Sequence, residues 1–299
     1  MSLETYAALH ARLAQHLVTL PDKPEETPEN TLRAIWHTAA GNPKSAVAAM
    51  GEAPPLPTDS PSDAVIELVN RRLAGEPLAY LTGRQHFMGL EMLSAPQALI
   101  PRVETEMLAH AVLELLDVDQ DCASPRVIDV CTGSGNLAFA IAHNYPHARV
   151  FATDLSEEAV AFAQRNGAHL GLQDRVQFRI GDLLEPFLVP EFFNQTSLIV
   201  CAPPYIHSAK VGRMADEIAR YEPRLAFDGG PLGVTILMRL FEDAPQLLHP
   251  GGWLAIEVGA GQGPALARRL QHDKAYSEIR TVADAGGEVR VILSRRARD

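Results

Sequence analysis

Between residues 2 and 83 apolar positions recur every three or four residues. Leu3, Tyr6, Leu9, Leu13 and Leu17 share one helical face, and Val65, Leu68, Val69 and Leu73 share another ahead of Gly75. The second helix has a start signal in "SPSD", with Ser60 as cap, Pro61 in the first turn and Asp63 near the positive end of the dipole. A proline-rich surface loop, "GEAPPLPTDSPS", separates the two. From Arg126 onward the period changes. "RVIDV", "RVFATD", "VQFRIGD", "SLIVC", "WLAIEV" and "VRVILS" are short β-branched runs, and the helical "NLAFAIAHNY" and "EEAVAFAQRNGAHL" fall between the earlier ones. This alternation predicts an α/β fold, a mostly parallel sheet covered on both faces, beside a smaller helical N-terminal domain. Ligands of such sheets bind beyond the carboxyl ends of the strands.

Composition narrows the classes. At 299 residues the chain holds one or two domains, and 46% hydrophobic with 21% charged residues describes an ordinary globular protein rather than a disordered one. No apolar run approaches the ~18 residues of a membrane span, and "MSLETYAALHARLAQHL" has no signal-peptide pattern. Three cysteines, Cys122, Cys131 and Cys201, form no C-x-x-C pair, which points to a reducing, cytoplasmic setting and away from zinc. His143 and His147 are separated by Pro146 and read as solvated loop residues, so no metal is expected. A net charge of -11 disfavours nucleic acid as the main substrate.

The strand ends carry the chemistry. The first predicted strand runs into "DVCTGSGN" and then directly into a helix, so Gly133 and Gly135 allow a tight turn beside free N–H groups. With Ala138 this also satisfies G-x-G-x-x-A, a pattern shared with dinucleotide enzymes, and taken alone it is equally a packing turn. Asp154 ends the second strand at a spacing that suits an acid accepting ribose hydroxyls. Asp182 ends the third, where it is either an adenine partner or a helix cap. The fourth strand ends in "CAPPYI". Nicotinamide enzymes have no need of a Pro-Pro-Tyr turn, whereas methyl transfer from S-adenosyl-L-methionine needs a rigid acceptor clamp there. Pro203 and Pro204 fix φ, and the Tyr205 ring face attracts a sulfonium or a polarised methyl by about 0.5–2 kcal/mol. Cys201 reads either as a nucleophile or as a small buried strand residue.

"RRLAGEPLAYLTGRQHFMGL", "LIPRVETE", "VIDVCTGSGN", "APPYI", "YEPRLAFDGGPLG" and "HPGGWLAIEVGAGQG" together make the chain resemble the peptide chain release factor glutamine methyltransferases. The resemblance implies a helical domain over residues 1–83 that docks a protein partner, a β-hairpin linker over 84–104, and a Rossmann-like class I methyltransferase domain over 105–299. It implies that Cys131, Thr132, Gly133, Ser134 and Gly135, with Asn136, line the methionine end of the cofactor. Asp154 and Leu155 then hold the ribose, and Asp182 and Leu183 lie at the adenine. Phe87, Arg102, Glu104 and Glu106 become a wall from the hairpin region, and Glu222 either joins the acceptor pocket or sits in a lid.

Two positions depart from the family pattern. Val103 replaces the proline of "IPRPETE", and Ala202 replaces the asparagine of the hallmark Asn-Pro-Pro-Tyr. In the family that asparagine accepts a hydrogen of the glutamine amide, and losing one preorganised contact of this kind costs on the order of 10²–10³ in rate. The expectation is therefore a paralogue with an altered, small-molecule acceptor. The alternatives are a release factor glutamine, intramolecular cyclisation of the cofactor releasing methylthioadenosine, and non-catalytic binding of the cofactor.

Overall fold

The computed structural model describes residues 3–52, 62–118, 123–212, 214–230 and 233–298. Ser60, Pro61, most of the proline-rich loop and Cys122 lie outside them. The early elements are α1 (Leu3–His16), α2 (Pro28–Ala39), α3 (Ser62–Leu73), α4 (Leu78–Thr82), β1 (Arg84–Phe87), β2 (Leu90–Leu93) and α5 (Val103–Val118). Then come β3 (Arg126–Val130), α6 (Asn136–Asn144), β4 (Arg149–Asp154), α7 (Glu157–Leu170), β5 (Val176–Ile180) and β6 (Thr196–Cys201). Next are α8 (Ser208–Val211), α9 (Asp216–Tyr221), α10 (Thr235–Leu247) and β7 (Leu248–Glu257). The chain finishes with α11 (Gly263–Gln271), β8 (Tyr276–Ala283) and β9 (Val289–Arg296). Two compact units result, Met1–Val103 with Met214–Glu222, and Glu104–Arg213 with Pro223–Asp299.

In the first unit the apolar stripes meet as read: Leu9, Leu13, Leu32, Ile35, Val65 and Val69 are buried in one cluster. α2 is capped by Thr27, whose side chain accepts from the Asn30 amide, with Pro28 in its first turn. β1 and β2 pair antiparallel as a hairpin. α9 belongs to this unit although it follows β6 in sequence. Its Glu217 accepts from Lys23 Nζ and from Arg72 Nη1, both at 2.6 Å, and Arg72 Nη2 donates to Glu26 at 2.7 Å. Lys23 is 1% exposed, so these are interior charges. Burial works against the charged form of Glu217, but Lys23 and Arg72 hold its carboxyl below the usual range. Glu26 is pushed up by burial in spite of the same two cations.

The second unit carries a seven-stranded sheet in the order β5-β4-β3-β6-β7-β9-β8. Pairs from β5 through β7 are parallel, and β9 runs antiparallel to both β7 and β8. On one face Ile128, Val130, Ile199 and Ile256 join Leu237, Leu240 and Phe241 of α10. Elsewhere in this unit Phe139 of α6 meets Phe178 of β5 at 5.9 Å between ring centroids. This is the α/β Rossmann-like arrangement expected of the sequence. β8 was not anticipated, because of its eight residues only Tyr276 is buried and its sequence shows no clear apolar alternation. The strand order reverses between β4-β3 and β6, so a crevice opens where the ends of β3 and β6 lie side by side.

Candidate active site

The turn after β3 is built from backbone conformations that side chains rarely tolerate. Cys131, Gly133 and Gly135 all have positive φ, at 59°, 54° and 82°. At Gly135 a Cβ would lie 2.6 Å from Phe139 Cε2, which excludes any larger residue. Thr132 closes the turn, its amide donating to Thr153 O at 3.0 Å and its hydroxyl to Asp129 Oδ2 at 2.6 Å. The Gly133 amide donates to Asp154 Oδ2 at 2.9 Å, and the Ser156 amide donates to Asp154 Oδ1 at 2.9 Å. Asp154 is thus fixed at the end of β4 by backbone donors, the Leu155 amide adding to these two. Burial raises its pKa against those bonds.

Beneath the turn lies an acid that sequence reading passed over. Asp129 is fully buried in β3, and the loss of water pushes its pKa up to about 7 although Thr132 and the Ala138 amide both donate to it. Its Oδ1 and the buried Ser134 Oγ have no hydrogen-bond partner among the described residues. Unpaired acceptors and hydroxyls around a glycine turn fit a ligand that brings its own donors, such as ribose hydroxyls and an amino group. Asn136 opens α6 directly after Gly135. Leu155, 57% exposed beside Asp154, presents open apolar surface. Asp182 is paired to Arg239 at 2.9 Å, and Leu183 follows it with φ of 49°.

The acceptor side stands at the end of β6. Cys201 is wholly buried, and burial raises its thiol pKa far above the usual value, so it rests as a protonated thiol within the core and is not an acceptor or nucleophile for methyl transfer. Ala202, Pro203, Pro204 and Tyr205 follow as non-helical backbone. Two glycines of the "FDGGPLG" segment press on this turn: a Cβ on Gly229 would lie 2.6 Å from Pro204 O, and one on Gly233 would lie 2.3 Å from Tyr205 O. Gln262 Nε2 donates to Tyr205 O at 3.1 Å. The Tyr205 hydroxyl hydrogen-bonds Glu257, and burial followed by that carboxylate raises its pKa.

Glu257, at the end of β7, is the other residue that was missed. It is 4% exposed and accepts from Thr105 Oγ1 at 2.7 Å, and burial raises its pKa. The acid closing the apolar run "WLAIEV" was the available signal. The residues expected to form the wall divide between the two units. Glu104 and Glu106 occupy the first turn of α5 in the second unit. In the first unit Phe87 is fully buried, and Glu222 accepts from the Ile100 amide at 3.1 Å and from Arg102.

The fold, with its glycine turn at the end of β3, is that of a class I S-adenosylmethionine-dependent methyltransferase, and residues 127–221 match the family described as "Methyltransferase domain". A release factor glutamine methyltransferase of Moorella thermoacetica is 42% identical over 230 residues, covering 77% of this chain and 78% of its own length. One of Salmonella typhimurium is 34% identical over 270 residues, covering 90% and 93%. The chain belongs to the release factor glutamine methyltransferase family. The catalytic domain of hMettl16, solved with MAT2A 3'UTR hairpin 6, shares the fold at a TM-score of 0.54 and 16% identity, over 69% of this chain and 76% of that one. S-adenosylmethionine is the cofactor, and when bound it would supply an electrophilic methyl group on a positively charged sulfur. No helix among the described residues is long and apolar enough to cross a membrane.

Proposed function

We propose that this enzyme methylates an acceptor that brings its own available lone pair, an amine, thiol or carboxylate of a small molecule, in place of a glutamine amide. The observation that carries this reading is the methyl side chain of Ala202 at the end of β6, where the family has an amide oxygen. An amide nitrogen is a poor nucleophile, because its lone pair is delocalised, and it needs that oxygen to orient it. Among the described residues, nearby side chains are committed elsewhere. Gln262 gives Oε1 to the Gly259 amide and Nε2 to the carbonyls of Tyr205 and Gly233. Asp228 accepts from Ser208 and the Gly230 amide, and Glu257 from Thr105 and Tyr205. What remains is a rigid Pro203-Pro204 backbone and the ring face of Tyr205, whose surroundings carry the negative charge of Glu257 and Glu104. Within that set such surroundings favour an amine, on which positive charge develops during methyl transfer.

A second reading has its own support, since the relatives described above are named for release factor glutamine as acceptor. Methyl transfer from labelled cofactor to a release factor and to a panel of small amines, thiols and acids separates the two. Release factor methylation is expected at least about 10²-fold below that of an asparagine-containing relative. Ala202→Asn is expected to lower turnover of the small acceptor by filling its space. Product masses from enzyme and cofactor alone test cyclisation, which would appear as methylthioadenosine. A release factor methylated at the relatives' rate would sink the small-acceptor reading.

A further inference from the structure

The turn after β3 and the neighbouring end of β6 each carry a thiol, Cys131 and Cys201. Val130 and Cys201 are Cα partners across β3 and β6, so Cys131 lies one residue beyond Cys201's own partner. A strand spacing near 4.8 Å and a rise near 3.3 Å put the two cysteine Cα atoms about 5.8 Å apart. That is inside the range of about 4.4–6.8 Å that a disulfide spans. Strict alternation would send the Cys131 side chain to the face opposite Val130. Its left-handed backbone, φ 59°, turns it back, and Cys131 packs against the cluster that contains both Val130 and Cys201. Burial raises the pKa of the Cys201 thiol, and the neighbouring Cys131 thiol adds to that rise. Cys131 is half-buried and Cys201 fully buried, and neither is bonded to another cysteine. A cysteine in the left-handed region costs on the order of 1 kcal/mol relative to glycine, and here that conformation sets thiol against thiol.

We propose that Cys131 and Cys201 form a reversible disulfide under hydroperoxide, and that the bond shuts the cofactor site. Cys131, the reachable sulfur, attacks the peroxide O–O bond. Sulfur becomes sulfenic acid and the departing oxygen takes the thiol proton and leaves as water. Cys201 then displaces the sulfenic hydroxyl, which leaves as a second water with the Cys201 proton, so two electrons in all pass from sulfur to peroxide. The bond ties the turn after β3 to the end of β6 and locks Cys131 in place, so the turn can no longer adjust around the cofactor. A bound cofactor covers the loop and competes with the oxidation. None of this depends on the identity of the methyl acceptor.

The test uses the full-length reduced protein, hydrogen peroxide, alkylation of remaining thiols and digestion without reductant. The expected product is a Cys131–Cys201 linked peptide pair, formed at least about 5-fold more slowly with saturating S-adenosylhomocysteine. Calorimetry is expected to show S-adenosylhomocysteine binding weakened about 10-fold or more after oxidation and restored by dithiothreitol. Cys201→Ala, with Cys201→Ser as the alternative should alanine fail to fold, is expected to lose this reversible response. Free thiols at 131 and 201 after treatment, a bond from either to Cys122, or an equal and reversible loss of binding in the Cys201 variants would each overturn the proposal.

Discussion

The two units bury carboxylates in opposite ways. The first sinks Glu26 and Glu217 among Lys23 and Arg72, so each acid meets a cation at 2.6–2.7 Å. The second buries Asp129 and Asp154 among amides and a hydroxyl, and Glu257 among hydroxyls, with Arg290 too weak an influence to offset the burial of Glu257. Paired charges of the first kind fix one conformation and gain little net energy over an apolar core. Acids held by neutral donors are left short of counter-charge, and a ligand with donors or a positive centre can supply it. Perturbed acids at or near strand ends are therefore the mark of the candidate binding face, while equally buried acids paired to cations in the other unit are not.

The largest effect is expected where a buried partner is removed. Arg72→Met leaves Glu26 and Glu217 short of a cation and should destabilise the protein by about 3–5 kcal/mol, read as a shift in the denaturant midpoint. Cofactor affinity measured well below that midpoint should change little. Asp154→Ala should do the reverse, weakening S-adenosylhomocysteine binding by roughly 1.5–3 kcal/mol in calorimetry, with a smaller change in stability. Equal losses of stability in the two variants would break the contrast.

The smallest effect per step is in pH. Asp129 titrates near 7 in the folded protein and near 3.8 in the unfolded chain, so between those values the folded state holds the extra proton. Its contribution is complete below about pH 4 and is lost as pH rises through 7, by up to ~1.4 kcal/mol per unit. Denaturation of the cofactor-free protein at pH 5 and pH 7.5 should show that loss in the wild type, and Asp129→Asn should flatten it. A wild-type slope unchanged by the substitution would place the titration elsewhere.

Legibility followed the range of the interactions. β3, β4, β6 and β7 are continuous buried runs and were readable because burial on both faces selects β-branched residues. Gly133 and Gly135 were readable because a local backbone conformation demands them, and Asp154 because strand and helix lengths set its spacing. Glu257 was hidden, since its role depends on Thr105, 152 positions away, and on Tyr205. The buried ions of the first unit were hidden for the same reason: Lys23 and Arg72 find Glu217 at separations of 194 and 145 residues. β8 escaped because an exposed edge strand carries no strong apolar signature.

The return of residues Met214–Glu222 to the first unit sets an order of events during synthesis. A nascent chain that has emerged as far as Val103 holds α1 to α4 and the hairpin, yet Lys23, Arg72 and Arg102 still lack the carboxylates of Glu217 and Glu222. Those arrive only after β3 to β6 have left the ribosome, at ordinary elongation rates roughly ten seconds later. The N-terminal part must wait for the strands of the second unit, so the first unit cannot be completed as an independent module before β3 to β6 have been made.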